Sequence, residues 1–385
     1  MSEAAAPRLI RLSLTDFRSY AALTWRPEAA INVIAGPNGS GKTNLLEAVS
    51  LLVPGRGLRG ARTADLARQG PGAAGRWGVA GRFSGPDGDI DIGTGSPPDG
   101  PADRRVFRLN GAAPRNQGEI AAHLAAVWLT PQMEKLFQEA ASGRRRFLDR
   151  LVFALEPSHA REVAAYEAAM ANRNRLLAEA RGDDAWLAGL EDSMARHAVA
   201  ATAARAALVA RLNRALDDGA AAPFPPARMI LICPIADRLA EAPALAVEDW
   251  LRAALAAGRL RDAEAGSTSL GAHRADMGLA DATTDIPAQL ASTGQQKALL
   301  IGVILGHAAL ITLARGTPPL LLLDEPSVHL DPDRRAALCA ALIRLGGPAL
   351  ITGTDADAYA GLGANAVFLR CGDGKLTQLG SARTN

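Results

Sequence analysis

The apolar positions change rhythm along the chain. In the first third they come in short runs. Leu9–Leu14 (LIRLSL) alternates as a strand, a second strand pattern lies around Leu23–Trp25, and Ile31–Ile34 is mostly apolar. A mostly apolar run of that length reads as a buried strand. An amphipathic helix follows from Thr43 and ends before Pro54. Trp77–Phe83, Asp89–Ile92 and Arg105–Leu109 read as further strands, and Asn110-Gly111 is a strong hairpin turn. Gly93–Asp103 (GTGSPPDGPAD) reads as a mobile surface turn. Ile120–Ala126 reads as a short helix and Val127–Leu129 as a strand ending in Thr130-Pro131-Gln132.

The middle third is helical and rich in alanine. Arg144, Arg145 and Arg146 open an amphipathic helix carrying Phe147, Leu148, Leu151 and Val152. A helical pattern runs from about Pro157 to a break at Gly182-Asp183. A second long helix then places Leu187, Leu190, Met194, Ala201, Leu208 and Leu212 near one face. Two antiparallel helices of this kind would form an arm about 40–50 Å long. Pro223-Phe224-Pro225-Pro226 ends it, Met229–Ile232 reads as a strand and Val247–Ala257 as a helix. In the final third Leu320–Leu323 has no polar alternation and Ala349–Thr354 is a second buried strand. This is the pattern of a parallel α/β sheet.

Composition narrows the class. A chain of 385 residues holds two or three domains' worth of core, and 48% hydrophobic content excludes long disorder. Aromatics are only 4%, so helices packed through small residues are expected. The net charge of +2 argues neither for nor against nucleic acid. Three cysteines (Cys233, Cys339 and Cys371) form no metal or redox spacing and are expected as buried thiols. The opening MSEAAAPRLIRLSL does not read as a signal peptide, and no apolar run is expected to approach the ~20 residues of a membrane span. A soluble, cytoplasmic protein is the expectation.

One stretch carries specific chemistry. Gly36 to Thr43 fits G-x-x-x-x-G-K-[ST], between the strand Ile31–Ile34 and a helix. Glycines let successive backbone N–H groups face phosphate oxygens, and the helix turns its positive dipole end to the same anion. Lys42 would reach the β- and γ-phosphates, and the Thr43 hydroxyl would hold Mg²⁺. Far along the chain, the Leu320–Leu323 strand delivers Asp324 and Glu325 at its end. Asp324 would orient a ligand of Mg²⁺, while Glu325, pointing elsewhere, would polarise the attacking water. Ser292-Thr293-Gly294-Gln295-Gln296 stands immediately before a buried helix.

These texts resemble ABC-type ATPases. STGQQ is similar to their signature loop, LLLLDEP to Walker B, SVHLD to the D-loop and TPQ to the glutamine loop. The resemblance implies two heads meeting head to tail, each ATP lying between one copy's phosphate loop and the other's signature. DFRSY, GPNGSGKTNLLEAVSLL, GRRRFLDRL, GAHRADM (Gly271–Met277) and STGQQKALLIG resemble the RecF family of bacterial recombination-repair proteins, in order and spacing. That family implies an α/β ABC-type head, a mixed sheet around the phosphate-loop core, from residues 1–132 and 265–385. A mainly helical arm over 133–264 would be inserted in it.

The family also implies nucleotide contacts from Arg18, Gly36, Pro37, Asn38, Gly39, Ser40, Gly41, Lys42, Thr43 and Asn44, and in trans from Ser292, Gly294 and Gln295. Thr43, Asp324 and Gln132 would hold Mg²⁺, and Glu325 and Lys42 would act in hydrolysis. Activity would be a weak DNA-dependent ATPase, and the ATP-bound homodimer would clamp single-stranded, gapped or junction DNA. RecR would be the partner, with RecO and RecA downstream. Gln132 and DEPSVHLD are more transporter-like than usual for this family, and no histidine follows Ala349–Thr354, where Thr354 stands nearest. His329 reads as a turn residue. An ABC transporter subunit and an ATP-switched scaffold without catalysis stay open as alternatives. Arg56, Arg59 and Arg62 read either as phosphate contacts or as a solvated loop, and Arg144–Arg146 either as a solvated face or as a DNA contact.

Overall fold

The computed structural model describes residues 7–85, 88–101, 103–179 and 183–379. The expected helix break at Gly182 and Ala102 of the expected surface turn lie outside these residues, as do Met1–Ala6 of the opening segment.

The first elements are β1 (Arg8–Phe17), β2 (Tyr20–Trp25), β3 (Ile31–Ala35), α1 (Lys42–Ser50), β4 (Gly78–Ser84), β5 (Ile90–Gly95), β6 (Val106–Leu109), α2 (Gln117–His123) and β7 (Ala126–Leu129). Then come α3 (Ala141–Leu155), α4 (His159–Ala178), α5 (Asp184–Asp217), β8 (Ala227–Ile232), α6 (Pro234–Glu241), α7 (Ala244–Ala257), α8 (Arg259–Ala265) and β9 (Asp276–Asp281). The chain ends with α9 (Thr293–Arg315), β10 (Leu320–Asp324), α10 (Pro332–Leu345), β11 (Ala349–Gly353), β12 (Ala366–Gly372) and β13 (Lys375–Gln378).

Two compact units result: Met1–Glu134 with Gly219–Pro226 and Ser292–Asn385, and Lys135–Asp218 with Ala227–Ala291. The first holds two sheets. An antiparallel sheet runs β2-β1-β4-β5-β6. A six-stranded sheet runs β13-β12-β3-β11-β10-β7, parallel except for the edge strand β13. Every residue of β3, β10 and β11 is buried, which is why these strands read as mostly apolar runs, with Asn32, Asp324 and Thr352 as their polar members. Gly93–Gly95 continue β5 rather than opening a turn, paired with Gly78–Ala80. A Cβ at Gly95 would strike the Trp77 carbonyl oxygen, so the missing side chain is what lets these strands meet.

Helix α9 corrects another expectation. It is long and apolar enough to cross a membrane by length and composition, but most of it is buried inside the protein. Leu299, Leu300, Val303, Ile304 and Ile311 are among its buried side chains, which makes it a core helix. The three cysteines are free and buried.

In the second unit α4 and α5, of 20 and 34 residues, pack along each other. Tyr166, Met194, Ala198, Val199, Val247 and Leu251 form its apolar core. Asp183 caps α5 by accepting from the Ala185 N–H. The expected boundaries shift at two places. Residues 265–291 join the second unit because β9 pairs antiparallel with β8. Gly219–Pro226 joins the first, where Arg344 donates to the Ala220 and Ala222 carbonyls.

Candidate functional site

The phosphate-type loop leaves β3 at the centre of the parallel sheet. The Gly36 N–H donates to the Gly353 carbonyl on β11 at 3.2 Å. A Cβ at Gly36 would lie 2.5 Å from the Cys371 carbonyl oxygen of β12. Behind the loop the Tyr20 hydroxyl donates to the Gly41 carbonyl at 3.2 Å and the Cys371 thiol to the Ser40 carbonyl at 3.1 Å. Burial pushes the Tyr20 phenol far above its usual range, so it stays a neutral donor. Gly41 has φ 105 and precedes α1. In front, Pro37, Asn38 and Gly39 are exposed.

Lys42 opens α1 with its ammonium folded over the loop, donating to the Gly36 and Pro37 carbonyls at 2.7 and 2.9 Å. The Ser40 hydroxyl is buried without a protein partner. A buried ammonium, an orphaned hydroxyl and a turn that only glycine fits suit a polyphosphate.

The second half of the site comes from the end of β10. The Thr43 hydroxyl donates to Asp324 Oδ1 at 3.0 Å, across 281 residues of sequence. The Thr352 hydroxyl, at the end of β11, donates to the same oxygen at 2.6 Å. An oxygen-rich pair such as Thr43 and Asp324 beside a phosphate loop fits Mg²⁺. Glu325, next in sequence, adopts a left-handed backbone with φ 51. Its N–H donates to Thr352, to Oγ1 and to the carbonyl, each at 3.2 Å. Its carbonyl accepts from the Lys297 ammonium of α9 at 3.0 Å, and Lys297 also donates to Glu134 Oε1 at 2.7 Å. Burial lowers the Lys297 pKa, while Glu134 opposes the shift.

Other expected residues stand elsewhere. Arg18 is a half-buried charge at the back of α1. Its guanidinium grips the buried Glu47 of α1 with two hydrogen bonds of 2.9 Å and donates to the Asp65 carbonyl. Arg59 adds a bond to Glu47 at 3.2 Å and another to Asn44 at 2.9 Å, while Arg56 and Arg62 are exposed. Asn44 in turn donates to the Ser19 hydroxyl. Gln132 is exposed on a short 3₁₀ turn just past β7, at the same sheet end as Asp324.

Ser292 and Gln295 form a capping box at the start of α9. The hydroxyl and amide are thus spent on the helix start, which sits exposed with Gly294 beside the His329 carbonyl. His329 is an exposed turn residue with φ 64, and no group of three or more His, Cys, Asp or Glu side chains that could hold a metal occurs among the described residues. Thr354 is exposed, and from β11 it is the Thr352 hydroxyl that bonds Asp324.

The arginine triplet is mostly occupied within the second unit. Arg144 makes two hydrogen bonds to Asp276, of 2.7 and 2.6 Å, and Arg145 donates to the Ala275 carbonyl; only Arg146 is exposed. The RRRFLD and GAHRADM texts are therefore two sides of one contact. Asp149 accepts from Arg205 and from His159. A Cβ on Gly271 would strike the Tyr166 hydroxyl, which bonds His273 Nδ1 at 2.6 Å.

Comparison with known proteins agrees with this geometry. The family described as RecF/RecN/SMC N terminal domain matches residues 8–349. The chain is 47% identical over 370 residues to the "DNA replication and repair protein RecF" of Mesorhizobium japonicum, covering 95% of this chain and 96% of that one. It is 45% identical over 370 residues to the RecF of Agrobacterium fabrum, covering 96% and 98%. Among solved structures, the recombination mediator protein RecF-ATPrS superposes with a TM-score of 0.84 at 22% identity, covering 98% of this chain and 100% of that one. An Smc head bound to the winged helix domain of ScpA superposes at 0.54 with 18% identity, covering 98% of each. These two structural likenesses establish the fold: a mixed α/β head with a helical second unit.

Proposed function

The chain belongs to the RecF family of DNA replication and repair proteins, and from that membership we propose that it acts as an ATP-driven DNA clamp with slow hydrolysis. The observation that carries this reading is the Thr43–Asp324 hydrogen bond, which joins the phosphate loop to the strand-end carboxylate. Gly36 to Asn44 cradle the triphosphate, with Lys42 swinging from the loop carbonyls to the β- and γ-phosphates. Thr43, Asp324 and Gln132 would hold Mg²⁺, which when bound neutralises charge building on the phosphate oxygens. Glu325 takes a proton from the attacking water, and the work of the site is otherwise positioning.

Ser292, Gly294 and Gln295, at the exposed start of α9, present a helix N-terminus to the γ-phosphate held by a second copy. Two nucleotides are then buried in one homodimer around single-stranded, gapped or junction DNA. RecR is the partner on this reading, with RecO and RecA acting downstream, in the cytoplasm. Family membership leaves the transporter alternative without support.

The test is sedimentation of the Glu325→Gln variant with ATP, with and without gapped DNA. A dimer that needs ATP and is strengthened by DNA is expected. A molecule that stays single with unhydrolysed ATP bound would refute the clamp.

A further inference from the structure

Glu325 carries a left-handed backbone, φ 51, that a side chain rarely adopts. Such a conformation persists only where its surroundings over-determine it. Here both flanking peptide groups are pinned by buried side chains of other elements. Thr352, 0% exposed, accepts from the Glu325 N–H through Oγ1 at 3.2 Å. Lys297, 2% exposed, donates to the Glu325 carbonyl at 3.0 Å. The ammonium is itself steadied by Glu134 at 2.7 Å. Lysine is scarce, with only Lys42, Lys135, Lys297 and Lys375 in the chain, and a lysine inside an apolar core helix is costly to desolvate.

We propose that Lys297 and Thr352 are positioning residues that clamp the backbone of Glu325 and so aim its carboxylate at the attacking water. This rests on the reading of Glu325 as the group that takes the water proton. Thr352 also bonds Asp324. Lys297 reaches Glu325 and Glu134, so it reports on the clamp separately from the metal-binding carboxylate.

The experiment measures single-turnover ATP hydrolysis by the full chain with Mg²⁺ and gapped DNA, and ATP affinity directly with a fluorescent ATP analogue. Lys297→Met and Thr352→Val should each slow the maximal rate by about tenfold to a hundredfold, the scale of a slightly misplaced reacting group. Nucleotide affinity should move by less than about threefold, because the loss is confined to the transition state. Thr352→Ser, which keeps the hydroxyl, should restore the rate. In the Glu325→Gln background neither substitution should slow the residual rate further. Should Lys297→Met fail to fold, the comparison of Thr352→Val with Thr352→Ser in both backgrounds decides.

Native rates in the variants, or the same slowing with and without the Glu325 carboxylate, overturn the clamp. A native chain that binds ATP and hydrolyses none overturns the reading of Glu325 itself. Turnover that Glu325→Gln abolishes and both clamp variants retain defeats only the clamp.

Discussion

Removing Arg144 separates a structural arginine from a DNA-binding one. Arg144→Ala deletes two hydrogen bonds to Asp276, of 2.7 and 2.6 Å, and one of 2.6 Å to the Glu139 carbonyl. The paired side chains are 14% and 24% exposed, which places them between two limits. An open surface pair contributes about 0–1 kcal/mol, and breaking a fully buried pair costs about 3–5 kcal/mol. Asp276 keeps one hydrogen bond, from the Met277 N–H at 2.7 Å, which softens the loss. The expected cost is about 2–3 kcal/mol, in the range of a hydrogen bond to a charged group. The exposed Arg146 should cost less than about 0.5 kcal/mol on truncation.

Urea unfolding followed by circular dichroism measures both, and the cycle of Arg144→Ala with Asp276→Asn should show a coupling of about 1–3 kcal/mol. Because Asp276 already neutralises Arg144, the salt dependence of DNA binding should not change in Arg144→Ala. Equal, small effects at Arg144 and Arg146, or additivity in the cycle, would refute the reasoning.

Gly41→Ala places a Cβ 2.8 Å from the Tyr20 hydroxyl oxygen at a backbone angle of φ 105. It should weaken ATP affinity by about a hundredfold or more in a direct titration, through a cost of about 3 kcal/mol on the loop. Arg18→Ala strips the bidentate partner from Glu47, whose side chain is 1% exposed. With Arg59 still 3.2 Å away, the chain should lose about 2–4 kcal/mol in urea unfolding. The hydrogen bond from Arg144 holds the Asp276 carboxyl below its usual range. A carboxylate depressed in this way stabilises the fold above its unfolded pKa, about 3.9, and that contribution goes as pH falls through the lower folded value. Below about pH 4, then, the stability gap between native chain and Asp276→Asn should close in melts recorded against pH.

The strands that carry the site were legible because burial on both faces writes them as mostly apolar text, broken only by Asn32 in Ile31–Ile34 and unbroken in Leu320–Leu323. The spacing of Gly36, Gly41, Lys42 and Thr43 is set by the geometry of wrapping a phosphate, so it too survives in one dimension. β12 was not legible, because Ala366, Val367 and Phe368 are only partly buried and no motif adjoins them. The arginines mislead for a different reason. A sequence does not say which guanidinium has met a carboxylate, and Asp276 lies 132 residues from Arg144.

Glu47 likewise reads as an ordinary helix surface residue until Arg18 and Arg59 converge on it. Lys297 and Thr352 left a faint signal, a lone cation opening an apolar helix and a hydroxyl within an apolar strand. Their meaning depends on Glu134 and Glu325, which only the tertiary structure supplies.

The place of β3 has a consequence for how copies of this protein are made. Its hydrogen-bonding neighbours are β11 on one side and β12 on the other, both drawn from the far end of the chain. At about 5–20 residues per second, the loop-bearing strand leaves the ribosome tens of seconds before either neighbour exists. Throughout that interval it is a bare apolar ribbon with two open edges, the kind of surface that invites wrong pairing. A polypeptide stopped short of Ala349 would hold the whole glycine-lysine text without the Gly353 carbonyl that takes the Gly36 N–H or either strand that flanks β3. The sheet around the loop is complete only when the closing strands have been made.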